Sequence, residues 1–329
     1  MTDRFDCVAI GNAIIDVIAK VEDAFLADHG IPKGTMTLVE RDRALALYDA
    51  MPPAHEVSGG SAANTIAGLA ALGARTAYVG KVKQDQLGQI FAHDMRAAGV
   101  SYDGPMAADG AEETARSMIL VTPDAERSMN TYLGISTGLR PEDIDEALIG
   151  RADWLYLEGY LFDTPEAKEA YERAIRAVKR GGGRVALTCS DPFCIERHRD
   201  DFRRLISEHV DLVFANRDEA LALFETTELR VAAEALSREV EIAAITLSAD
   251  GAIIRRGKAE SRVVPPAVDV VDTTGAGDLF AAGFMAGLVR GHDDEKAGHM
   301  GNLAASACIA QIGPRPDVDM KALMARNGL

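Results

Sequence analysis

The chain has 329 residues, 47% of them hydrophobic, enough to bury one large core. Its 35 basic and 51 acidic residues give a formal charge of -16, which argues against non-specific attachment to nucleic acid or an anionic membrane, so an anionic ligand needs a specific local pocket. Cys7, Cys189, Cys194 and Cys308 lack the density and spacing of a disulfide scaffold or zinc site, and no apolar run reaches the length of a signal-peptide core or a membrane span, so reduced structural thiols and a cytoplasmic protein are expected.

In chain order, short β-rich apolar runs alternate with longer amphipathic ones, the pattern of an α/β protein with a doubly wound, mainly parallel sheet flanked by helices. Strands are predicted over 6–10 and 76–79, and helices over 62–72 and 85–98. Buried strands over 154–157, 184–187, 212–214 and 243–247 follow, with helical runs such as 165–179 between them. The last strand is predicted over 268–271 and the next helix over 279–289. Two stretches break this rhythm, 13–57 and 107–132, the second holding short alternating segments such as 117–121. They read as a small β-rich lid on a single domain spanning 1–329, closing over a crevice at the carboxyl ends of the main strands.

The strongest chemical signal is Asp272-Thr273-Thr274-Gly275-Ala276-Gly277-Asp278, between the predicted strand 268–271 and helix 279–289. Small residues let backbone N–H groups approach a ligand, and the first N–H groups of a helix have no partner within it, so the turn suits an anion such as phosphate. Asp278 has two readings that the residues leave open: a base for an attacking hydroxyl, or an acid that complements the helix dipole. No P-loop, dinucleotide fingerprint or HExxH motif is present. The GxSxG match at 134–138 reads as accidental, because Leu139-Arg140-Pro141 follows where a nucleophile elbow would enter its helix. Gly59-Gly60, ahead of Asn64, offers bare backbone against which a polyol could lie while the amide reads a hydroxyl. The same residues serve a plain helix start. Asn12 and Asp16 follow the first strand on the way into the lid, where a carboxylate among apolar neighbours can accept hydrogen bonds from vicinal hydroxyls.

With these sites in hand, the chain resembles the PfkB carbohydrate kinases of the ribokinase-like superfamily over nearly its whole length. The region 59–88 looks like the first family signature and 272–288 like the second. The resemblance implies ATP-dependent phosphotransfer, with Asp278 as base, the backbone of Gly275, Ala276 and Gly277 as anion hole, and Asn12, Asp16, Gly59, Gly60 and Asn64 around the acceptor. It implies nucleotide contacts from Asn216, Glu219, Thr246, Ser248, Gly251, Thr274 and Asn302, Mg²⁺ handled indirectly through Glu219, and K⁺ near Asp272. Ser248 stands where many relatives have glycine.

The run from Gly11 to Asp16, an added helix within 39–51 and the segment around Tyr160 and Phe162 resemble the adenosine-kinase-like subgroup, with those two aromatics offered to an adenine ring. Core packing of the same aromatics is the competing reading. The expected reaction is adenosine plus ATP to AMP plus ADP, in a monomer or homodimer. A kinase of fructose, ribose or another nucleoside is the alternative, and a non-catalytic nucleotide-binding protein of the same fold is the rival from another class. Arg127, on a predicted lid strand, reads as solvated.

Overall fold

The computed structural model describes residues 4–108, 110–124 and 126–329. The predicted domain 1–329 and lid stretch 107–132 therefore include residues, namely 1–3, 109 and 125, that lie outside the described ones.

Strand Phe5–Ile10 shows why the main sheet forms. Its residues alternate between two apolar layers: Cys7 and Ala9 belong to one core, Val8 and Ile10 to the other. Only a strand sandwiched by helices on both faces buries such a run. Ala152–Glu158 and Leu212–Asn216 alternate in the same way. The resulting nine-stranded sheet runs in the order Ala259–Val263, Ala252–Arg256, Ile242–Thr246, Leu212–Asn216, Arg184–Thr188, Ala152–Glu158, Phe5–Ile10, Thr76–Val79, Val100–Ser101. Its pairings are parallel except at the edge, where Ala252–Arg256 joins antiparallel strands on both sides. Helices Ser61–Ala71, Gln86–Ala97, Ala276–Val289 and Asp294–Ile309 contribute to one core, and Pro165–Arg180, Pro192–His209, Arg217–Phe224 and Leu229–Glu239 to the other.

A second, five-stranded sheet has the order Met36–Leu38, Arg127–Tyr132, Ala115–Val121, Ile14–Lys20, His55–Gly59. Met118, Leu120 and Tyr132 pack with Ala44 and Leu47 of helix Arg41–Ala50 on one of its faces. Ile119, Met129 and Thr131, of opposite parity, face a cavity shared with the main sheet.

The predicted strand over 268–271 does not form. The sheet edge is already closed by the hairpin of Ala252–Arg256 and Ala259–Val263, and the N–H groups of Val271 and Asp272 donate instead to Ile309 O at the end of a helix. Val268, Val270 and Val271 are accordingly exposed. The GxSxG segment is a 3₁₀ turn in which the buried Ser136 hydroxyl donates to Leu133 O at 2.6 Å, so it presents no nucleophile. All four cysteines are buried and free. Among the described residues no helix is long and apolar enough to cross a membrane.

Candidate active site

Helix Ala276–Val289 starts from Gly275, whose φ of 78° lies in the left-handed region that glycine adopts without strain. A Cβ there would also come within 2.7 Å of Pro314. This start places Asp278 at the third helical position. The Ala276 N–H is used within the turn, donating to Thr273 O at 3.2 Å. Of the expected anion hole, the Gly275 and Gly277 N–H groups thus have no partner among the described residues, whereas Ala276 is already satisfied.

The Asp278 carboxylate is held from the side by helix Ser61–Ala71. Ser61 Oγ donates to Oδ1 at 2.7 Å and Asn64 Nδ2 to Oδ2 at 3.1 Å. Burial raises its pKa to about 6, and the bonds from Ser61 and Asn64 and the charge of Arg315 restrain the rise. Asn64 therefore orients a carboxylate as well as bordering the ligand space.

A cavity of about 600 Å³ opens in front of this group. Asp278, Thr274, Gly275, Ala276 and Gly277, then Asn12, Asp16, Gly60 and Asn64, and Asn216, Glu219, Thr246 and Tyr160 all line it. Asp16 has no hydrogen-bond or ion-pair partner among the described residues, and burial raises it to about 7 against the opposing charges of Arg315 and Arg127. Asn12 Oδ1 is buried without a partner, while its Nδ2 donates to Glu158 at 2.8 Å. Two acceptors without protein donors in the lining of one cavity suit the hydroxyls of a ligand. Glu219 is also raised to about 7 by burial, and closes a capping box with Asn216, whose backbone N and Nδ2 occupy both of its oxygens at 2.8 and 2.7 Å.

Six expected residues do not line the cavity. Gly59 backs Asp16, and a Cβ on it would come 2.3 Å from the carboxylate. Phe162 is 3% exposed and stacks on Phe202 at 4.3 Å in the core, where a ligand does not reach it. Ser248 and Gly251 shape the tight turn after strand Ile242–Thr246, both with positive φ. Asn302 donates to Val263 O at 3.1 Å, tying a helix to the edge strand. Asp272 is occupied: its carboxylate accepts from the N–H groups of Thr274 and Gly313 and pairs with Arg127. The Asp272 carboxylate is thus engaged by protein donors, and the Arg127 side chain is buried rather than solvated.

The sequence reading missed Glu158, which ends strand Ala152–Glu158, lines the cavity, accepts from the backbone of Asn12 and Ala62 and is raised to about 7 by burial. An acid closing an apolar strand was the same signal that singled out Asp16. Also missed was Phe193, 72% exposed at the cavity wall.

Residues 4–320 match the pfkB family carbohydrate kinases. The chain belongs to the pfkB family. It is similar to the solved structure of an adenosine kinase from Sinorhizobium meliloti, at 50% identity and a TM-score of 0.92, covering 99% of this chain and 100% of that one. A probable sugar kinase from Rhizobium etli CFN 42 is similar at 47% identity and a TM-score of 0.92, with 99% of each chain covered. Among curated proteins, the adenosine kinase of Saccharomyces cerevisiae is 28% identical over 93% of this chain and 95% of its own. The fold is the ribokinase-like one, and this pfkB protein is an ATP-dependent kinase. Among the described residues no cluster of three or more His, Cys, Asp or Glu side chains could hold a metal ion. The cavity offers Glu219 instead, which fits an ion that arrives with ATP and keeps phosphates and waters as most of its ligands.

Proposed function

We propose that this kinase phosphorylates the 5′-hydroxyl of adenosine, forming AMP and ADP, with Asp278 as base. The observation that carries the reading is Asp278: fixed by Ser61 and Asn64, it lines one cavity together with the partnerless acceptors of Asn12 and Asp16 and with Gly275 and Gly277, whose N–H groups are free among the described residues. Adenosine needs hydroxyl acceptors at one end and an apolar surface at the other. Ile14, Met36, Leu38, Ile119, Met129 and Leu133 supply such a wall, for which a free sugar has no use. Similarity to the Sinorhizobium meliloti protein supports the same choice.

In this mechanism Asp16 and Asn12 accept hydrogen bonds from the ribose hydroxyls, and the 5′-oxygen attacks the γ-phosphorus as the bond to the β–γ bridging oxygen breaks. The proton passes to Asp278, whose raised pKa makes it a better acceptor than an ordinary aspartate. The Gly275 and Gly277 N–H groups hold the transferring phosphoryl oxygens. Glu219, whose oxygens accept from Asn216 N and Nδ2, is the residue that would face a Mg²⁺ ion carried in by the nucleotide, and such an ion would supply positive charge against the phosphates. The small sheet, covering 13–57 and 107–132, acts as the lid that excludes water.

Product formation measured with ATP across adenosine, inosine, ribose and fructose tests the substrate. Adenosine should give the highest kcat/KM. A higher value for fructose or ribose would favour the sugar-kinase reading that similarity to the Rhizobium etli protein offers.

A further inference from the structure

Arg315 brings a charge to this site from an irregular segment near the end of the chain. Its Nη1 donates to Ser58 Oγ at 2.7 Å, its Nε donates to Asn64 Oδ1 at 3.2 Å, and Nη2 lies 3.7 Å from Met95 Sδ. All three partners are neutral, and among the described residues no carboxylate lies within ion-pair distance. A guanidinium drawn out of water with only neutral partners is costly unless charges nearby compensate. Burial lowers its pKa, opposed by Asp16 first, then Asp94, Tyr78 and Asp278.

We propose that Arg315 is a positioning residue for phosphotransfer, which aims the Asn64 amide at Asp278 and supplies positive charge shared by Asp16 and Asp278. The inference rests on the roles proposed above for those two carboxylates. The amide argument is geometric. Because Arg315 donates to Asn64 Oδ1, the Asn64 Nδ2 is left to face Asp278; the flipped amide would set its oxygen against the carboxylate and its NH2 against the guanidinium, and lose both bonds. The charge argument follows from the surroundings. Around Asp278 stand Ser61 and Asn64 on one helix, Tyr156 and Glu158 on strand Ala152–Glu158 with Tyr160 just after it, Asp16 on strand Ile14–Lys20, Glu219 on helix Arg217–Phe224, and Cys308 on helix Asp294–Ile309, none of them cationic. Asp16 additionally faces Arg127 on strand Arg127–Tyr132. Removing Arg315 leaves Asp278 without a nearby cation.

The test compares the wild-type protein with Arg315→Gln and Arg315→Lys, measuring adenosine binding by calorimetry and kcat/KM from pH 5.5 to 9, with thermal midpoints on the same samples. In Arg315→Gln the acid limb of both quantities should move up by about one pH unit, a loss of about tenfold below the limb that shrinks toward pH 9. Arg315→Lys should return the limb toward its wild-type position. A folded Gln variant with an unshifted limb overturns the proposal, and a Lys variant as shifted as Gln does so too. If Arg315→Gln unfolds, Arg315→Met carries the same test with a better-packed neutral side chain. The binding limb reports on Asp16 without turnover, so normal turnover in Asp278→Asn would overturn the base assignment while leaving Arg315 to be judged separately.

Discussion

Arg127 of the small sheet forms an ion pair with Asp272 of the loop that precedes helix Ala276–Val289, their side chains 8% and 4% exposed. Arg127 Nη1 also donates to Thr274 Oγ1 at 3.1 Å, and Asp272 in turn holds the N–H groups of Thr274 and Gly313. One side chain therefore ties the second sheet to the loop that starts helix Ala276–Val289. The arginine pays for its own desolvation only while the aspartate is present.

Replacing Arg127 with Gln leaves the buried Asp272 charge unpaired and should cost about 3–5 kcal/mol of stability. Adding Asp272→Asn to that variant should recover a large part of the loss, because the orphaned charge goes with it. Chemical denaturation of the two single variants and the double variant checks this; a double variant no more stable than Arg127→Gln would show that the pair is not the source of the loss.

Asp278→Asn keeps the shape of the helix start and removes the proton acceptor. Turnover should fall by about 10² to 10⁴ while ATP still binds. In the wild-type protein kcat should decline below about pH 6, since only the ionised carboxylate accepts a proton and burial has raised its pKa to about 6. If Asp278 serves only the helix dipole, the loss is instead about 0.3–1 kcal/mol of stability with turnover intact. Rate, nucleotide affinity and melting temperature on one preparation separate these outcomes.

What the sequence made legible was chemistry carried by contiguous residues. The stretch from Asp272 to Asp278, the pair of Asn12 and Asp16, and Asn64 behind its glycines each hold their signal within a few positions, and the structure gathers most of them around one cavity. What it hid came from far along the chain: Arg315 meets Ser58 across 257 positions, and Ser61 meets Asp278 across 217. The valine-rich run at 268–271 looked like a strand because side chains announce β-propensity, whereas whether a sheet edge is open depends on the rest of the fold.

The same limit applied to the aromatics: Phe162, offered to the ligand, is packed in the core, while Phe193, given no role, stands at the cavity wall. Phe162→Ala should destabilise the protein by about 3–5 kcal/mol through a core cavity, with little effect on KM in the folded fraction. Phe193, 72% exposed, should be removable with a stability change within about 0.5 kcal/mol, and its loss should raise KM for a substrate. Denaturation curves alongside steady-state kinetics for both variants decide it; an unchanged KM in Phe193→Ala would leave that ring without a part in binding.

Four buried carboxylates share a sign. Burial raises Asp278 to about 6 and Asp16, Glu158 and Glu219 to about 7, all above their unfolded values. Between the folded and unfolded pKa values the native state binds more protons, so its stability rises as pH falls. The ligand-free protein should melt at a higher temperature at pH 6 than at pH 8, a gain lost as pH rises through 6 to 7. A melting temperature that increases from pH 6 to pH 8 would contradict this.

Asp16 concentrates the tension between stability and function. It is 7% exposed, has no protein partner among the described residues, and is kept against Gly59, where any side chain would collide with it. A buried carboxylate without donors is a liability to the empty protein and an asset only when ligand hydroxyls donate to it. Asp16→Asn should therefore raise the melting temperature of the free protein at pH 8, while Asp16→Ala, which also opens a small void, should gain less. Both should weaken acceptor binding by at least about tenfold, since hydrogen bonds to a charged acceptor contribute roughly 1.5–3 kcal/mol each. ATP affinity should change little if the nucleotide binds as proposed, toward Asn216 and Thr246. Calorimetric titration of each substrate, with melting curves of the same samples, tests the pairing of effects: Asp16→Asn with lower stability and equal loss for both substrates would assign Asp16 to the scaffold instead.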